Sequence, residues 1–304
     1  MISGKSASCG HRKILSIGVM AALLIGLMPA GGGWARANGT SRVSGAFGSV
    51  TAQEGSHRRQ ALAAVKAVRR DSWKYLKVRG VRFDFVDQKS VRAGRALPSR
   101  GDDIPFHWEF PPSADISRQA EGALIGLIRH ELGHQVFLRR VLPPGKRDSY
   151  GSDAPDWLDE AAAIVMETPQ MKDQRRVVAR MLAAQGKLLP LGDFLAMPHP
   201  EAKSAGDRPA SASPNGTFAP QNPLQTLVFY SQCQVFTDFL ISKTGEAAIL
   251  RKLADTIGRN EDYVAFLVQE IAIEGGQSSI DDVNSMFLGW VRESTPPGGK
   301  VKIG

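Results

Sequence analysis

His130-Glu131-Leu132-Gly133-His134 sets two imidazoles four residues apart with a carboxylate between them. On a helix, such positions lie about 40° apart around the axis and about 6 Å along it. Both rings can then reach one metal ion, and Glu131 can reach a water on that ion. A divalent metal draws the pKa of its water toward 7, and a neighbouring carboxylate can take the proton as the water attacks a carbonyl. This chemistry needs three protein ligands and one open position. His130 and His134 supply two, so the third must come from another element.

A third histidine six residues after His134, with a glycine three residues before it, is excluded: those positions are Arg140 and Phe137. The string Asp156-Trp157-Leu158-Asp159-Glu160 offers three acids on a predicted helix. Glu160 lies 26 residues after His134 and is one of these three candidates. Asp156, one turn earlier, can share its face, while Asp159 points about 100° away.

His-Glu-x-x-His followed by Trp157-Leu-Asp-Glu160-Ala-Ala-Ala163 resembles the gluzincin superfamily, the peptidase-MA-like domains related to thermolysin. The resemblance implies a zincin-like fold holding one zinc ion through His130, His134 and Glu160. It also implies Glu131 as general base, and a peptide or protein substrate cleaved by hydrolysis. It extends over residues 117–293 and is most specific at 130–134 and 156–163. Ala161 stands where the family often has glycine. Ile164 stands where thermolysin has an acid that orients a histidine, so the sequence leaves that partner unidentified. The stretch from Tyr230 to Leu240, then Gly245, and the stretch Met286–Val291 are similar to later helices of the family. Tyr230 is the candidate side-chain donor to the oxyanion, set against the simpler role of a packed core aromatic. His107 reads as structural, and His57 and His199 receive no role.

The elements that must position these residues follow from periodicity. Residues 56–77 predict a basic amphipathic helix whose Lys/Arg face reads as solvated. Val81–Val86 and Phe106–Phe110 alternate as strands, with a charged loop over 88–103. Residues 117–140 form the motif helix, apolar on most sides and therefore buried. Two histidines and a glutamate on such a helix are costly unless paired or metal-bound. A second helix starts near Asp153, its predicted cap, and a third covers 171–186. Residues 198–223 read as a long mobile loop, followed by helices over 224–243, 246–257, 261–274 and 279–293. Strands before the motif and helices after it predict an α+β domain, with a small twisted N-terminal sheet and a mainly helical C-terminal part. An edge strand near 104–110 can take an extended substrate by strand addition.

The 304 residues are 42% hydrophobic and 22% charged, an ordinary globular balance. Residues 1–37 read as a signal peptide, with basic residues at 11–13, an apolar run over 14–28 and Ala35-Arg36-Ala37 as the cleavage signal. Residues 38–55 then form a flexible lead-in, and 56–295 the metallopeptidase domain. Removing the leader takes away four basic residues and no acid, so the net charge falls from +8 to +4. That balance argues against nucleic acid as a partner. Cys233 remains as the one cysteine after cleavage and reads as a buried small hydrophobe. The chain is therefore expected to be exported, to the bacterial periplasm, cell envelope or medium, with no span retained after cleavage. The competing expectation is an inactive zincin-fold envelope protein acting in binding or assembly. Retention of Glu131 favours the enzyme.

Overall fold

The computed structural model describes residues 41–88, 102–110, 118–142, 154–200, 222–271 and 279–294. The predicted signal peptide 1–37, most of the loops predicted at 88–103 and 198–223, and the predicted cap Asp153 lie outside the described residues.

The chain opens with an antiparallel hairpin, β1 (Ser41–Gly45) and β2 (Gly48–Ala52). This corrects the expected flexible lead-in over 38–55 at residues 41–52, while 38–40 lie outside the described residues. The Gly/Ser composition that suggested mobility serves close packing instead. Gly48 has φ +98°, and a Cβ there would lie 2.0 Å from the Phe83 carbonyl oxygen. Ser49 Oγ donates to Asp84 Oδ1 at 2.6 Å. Small residues let β2 lie against its neighbour, and all five of its residues are buried.

Helix α1 (Gly55–Leu76) carries the chain over to β3 (Phe83–Asp87), which pairs in parallel with β2. This is a β-α-β unit, since parallel neighbours need a crossover. Strand β4 (Ile104–Trp108) pairs in parallel with β3 and completes a mixed sheet ordered β1-β2-β3-β4. Among the described strands, β4 lies at an edge, where the sequence placed it. Phe83, Phe85 and Phe106 bury against the apolar side of α1, which contributes Ala61, Ala64, Val65 and Val68.

The rest is helical. Helix α2 (Arg118–Arg140) is the motif helix, and it is tied to α1 by Arg129, which donates to Asp71 Oδ2 at 2.6 Å. Helix α3 (Asp156–Ile164) starts on Pro155 and is buried from Trp157 to its end. Helix α4 (Pro169–Ala184) is capped by the Thr168 side chain. A short helix absent from the sequence reading, α5 (Leu191–Ala196), packs Phe194 against Trp157, Phe229 and Phe236. Six residues are too few to show a helical period, which is why the pattern hid it. Helices α6 (Pro223–Thr244), α7 (Ile249–Gly258), α8 (Tyr263–Ile271) and α9 (Ile280–Glu293) complete the fold. Asn222 caps α6, Gly245 ends it at φ +67°, and a reciprocal Ser279–Asp282 box caps α9. The architecture is α+β, a small mixed sheet followed by a mainly helical remainder.

The contact between α2 and α3 positions the site. A Cβ at Gly133 would lie 2.8 Å from the Ala163 Cα. Glycine on one helix and the run Ala161-Ala162-Ala163 on the other bring the two backbones together. The carboxylate of Glu160 is thereby delivered to the histidines of α2.

Candidate metal centre

The ligating atoms of His130, His134 and Glu160 lie within 4.8 Å of one another, and all three residues are buried. His130 Nε2 is 3.1 Å from His134 Nε2. Glu160 Oε2 is 3.4 Å from His130 Nε2, and Oε1 is 3.4 Å from His134 Nε2. Ligands about 2.0–2.2 Å from a tetrahedral ion stand about 3.3–3.6 Å apart. Each histidine nitrogen stands at about that distance from one oxygen of Glu160, a different oxygen for each ring, and one ligand atom from each residue falls within 4.8 Å of the others. Neither Glu160 oxygen has an aligned hydrogen-bond donor, although the side chain is 1% exposed. A buried carboxylate is costly unless its charge is offset, here by protons on the histidines around it or by a cation. This group can hold a metal ion.

The outer ring nitrogens are fixed by carboxylates. His134 Nδ1 faces Asp159 Oδ1 at 3.0 Å, and His130 Nδ1 faces Glu167 Oε1 at 2.9 Å. A carboxylate only accepts, so the proton of each neutral ring sits on Nδ1 and the Nε2 lone pair turns inward. These are the partners the sequence left unidentified. Asp159, weighed there as a rival to Glu160, faces the outer nitrogen of His134 and is not in the group that could share an ion. Glu167 lies three residues beyond Ile164, the position compared with thermolysin. Its charge is met by Arg175 of α4, whose Nε donates to Oε2 at 2.9 Å and whose Nη2 donates to Oε1. The same guanidinium lies 5.0 Å from the Tyr230 ring centroid.

Tyr230, on α6, is brought to the site. It is 6% exposed, its ring lies 6.2 Å from that of His130, and its hydroxyl is 3.1 Å from His199 Nε2. His199, given no role from sequence, is buried here, with Nε2 3.0 Å from Glu160 Oε1. Its backbone N–H donates to Asp156 Oδ2 at 2.5 Å, so Asp156, the other rival ligand, holds the histidine's segment. No spacing signal connects His199 to residues 130–160; only the tertiary fold brings them together. Glu131 is buried beside His130 on α2. His57 is also buried, stacked on Phe110 at 4.2 Å away from this cluster, while His107 is exposed on β4.

The electrostatics follow from this crowding. Burial opposes charge on both ligand rings, but the surrounding carboxylates outweigh it. They raise His130 to about 9 and hold His134 well above its ordinary value. Burial alone would raise both glutamates. The histidines keep Glu160 well below the usual carboxylate range, and Arg175 with His130 brings Glu167 down to about 2. Burial first, and the Glu160 charge next, push the Cys233 thiol up, so it is no thiolate nucleophile. No family model, curated protein or solved structure matches the chain.

Proposed function

We propose that the protein is a zinc-dependent peptidase of the gluzincin type, acting on a peptide or protein substrate after export. The observation that carries this reading is Glu160. It is a buried carboxylate whose two oxygens face the Nε2 atoms of His130 and His134 at 3.4 Å, and the three residues can offer ligand atoms within 4.8 Å of one another. Two imidazoles and one carboxylate are the donor set of hydrolytic zinc sites. His130, His134 and Glu160 would hold the ion, which when bound supplies Lewis acidity and an acidified water.

The chain's own groups do the rest. Asp159 and Glu167 orient the imidazoles and fix their tautomers. Glu131, between the ligands, is the general base, accepting the proton of the attacking water and returning it to the leaving amine. Tyr230, with its hydroxyl beside His199, is the candidate donor to the oxyanion. Strand β4, at the edge of the sheet, offers backbone groups to an extended substrate. Export rests on the leader pattern in residues 1–37.

The test is metal content together with hydrolysis of a quenched peptide library. The wild type should carry one zinc per chain and cleave. Glu131→Gln should keep the zinc and lose turnover by at least about a hundredfold. Zinc without turnover in the wild type would favour the binding or assembly reading.

A further inference from the structure

The outward face of α1 takes no part in the site. Residues 54–79 carry eight Lys and Arg against Glu54 and Asp71, a net +6 of the +8 on the whole chain. Asp71 is buried, held by Arg129 at 2.6 Å and by Arg70 at 2.7 Å, so it balances part of the Arg70 charge and none of the Arg59, Lys66 or Lys74 charge. Arg59, Lys66, Arg70, Trp73 and Lys74 are exposed and fall within about 100° of one another around the helix. From Arg59 to Lys74 the stripe runs about 22 Å along the helix. At its end Trp73 is 41% exposed, with the Arg79 guanidinium 4.0 Å and Lys77 Nζ 5.3 Å from its ring. The opposite face is buried against the sheet and α2, so the helix cannot roll over to hide the charge.

We propose that this face docks the protein on an anionic phospholipid surface, with Trp73 entering the headgroup layer. A straight cationic stripe meets a plane of phosphates along its whole length. A duplex groove, in contrast, engages mainly the first residues of a recognition helix. An exposed Trp between cations suits the headgroup boundary, where an apolar body and charged neighbours are both accommodated. No helix among the described residues is long and apolar enough to cross a membrane. The proposal is independent of the metal reading.

The experiment is co-sedimentation of the full chain with vesicles of phosphatidylcholine alone or mixed with phosphatidylglycerol, over a salt series. The apolar run over 14–28 contributes to both lipid mixtures, so the difference between them is the readout. Wild type should partition at least about tenfold more strongly onto the anionic vesicles at low salt, and salt should erase the gap. The triple variant Arg59→Glu, Lys66→Glu, Lys74→Glu should abolish the difference. The milder Lys66→Gln, Lys74→Gln should shrink it if the triple variant fails to fold. Trp73→Ala should weaken binding while keeping its salt dependence. Equal partitioning of wild type onto both mixtures overturns the proposal, as does a gap unchanged in the folded glutamine variant. Tighter binding to duplex nucleic acid than to anionic vesicles at the same ionic strength overturns it as well.

Discussion

Each histidine of the metal centre stands between two negative groups: Glu160 inward, and Asp159 or Glu167 outward. Without metal, protons answer this excess of charge, and His130 titrates near 9. A group raised in the folded state stabilises below its unfolded pKa, here 6.5, and loses that contribution as pH rises through the folded value. Chelated protein should therefore lose thermal stability between pH 6.5 and about 9. Zinc-loaded protein should not, because the ion replaces the protons. Calorimetric zinc titrations in buffers of different ionisation heat should register proton release on binding at pH 7; the absence of release would sink this account. Glu167 works with the opposite sign. Depressed to about 2, it stabilises above pH 4.5 and its contribution disappears as pH falls toward 2. Removing the cation that holds it, by Arg175→Met, should weaken zinc affinity roughly 10- to 100-fold in chelator competition. The pattern of cobalt absorption bands should shift as well, because the His130 ring loses its fixed partner. Unaltered affinity and spectrum would assign Arg175 to packing alone.

At the scale of elements, the approach of α2 to α3 decides whether Glu160 reaches the histidines. Gly133→Ala puts a methyl 2.8 Å from the Ala163 backbone. The helices must part, at a cost of about 1–3 kcal/mol, and zinc affinity should fall along with Tm. Ser279→Ala removes the α9 capping box and should cost about 1 kcal/mol while leaving zinc affinity untouched. The pair of variants separates lost stability from lost geometry. The same elements show what the sequence could disclose. The long helices at 55–76, 118–140 and 223–244 declared themselves through several turns of apolar period, and the motif helix carried its chemistry in five consecutive residues. The hairpin at 41–52 did not, because glycine and serine are shared by mobile loops and by tightly apposed strands. Asp159 was legible as an acid near the ligands but not as the partner of His134. Choosing between ligand and support depends on how α3 meets α2. His199 was beyond reach, since its neighbours Glu160 and Tyr230 lie 39 and 31 residues away with no helical or strand period linking them.

For the whole molecule, α2 packs on α1, β4 and α3, while α7 reaches α1 directly. The buried pair Arg129–Asp71 pins α2 to α1 at the residue adjoining the first ligand. Breaking such a pair leaves a lone buried charge, so Asp71→Ala should destabilise by about 3–5 kcal/mol, read as a lower Tm and denaturant midpoint. The three ligands and their two carboxylate partners span only residues 130–167, and Arg175 follows within the next turns. The order in which this chain acquires its parts follows from that. Closing a short loop is entropically cheap and fast compared with assembling distant segments. A growing polypeptide that has emerged as far as α4 already contains every group needed to grip the ion, whereas His199 and Tyr230 arrive later. On the proposed reading, a metal ion would be captured before the C-terminal helices dock and would act as a folding template. Refolding followed by stopped-flow fluorescence should be faster with zinc present from the start than with zinc added after the fast phase; equal rates would place metal entry after folding.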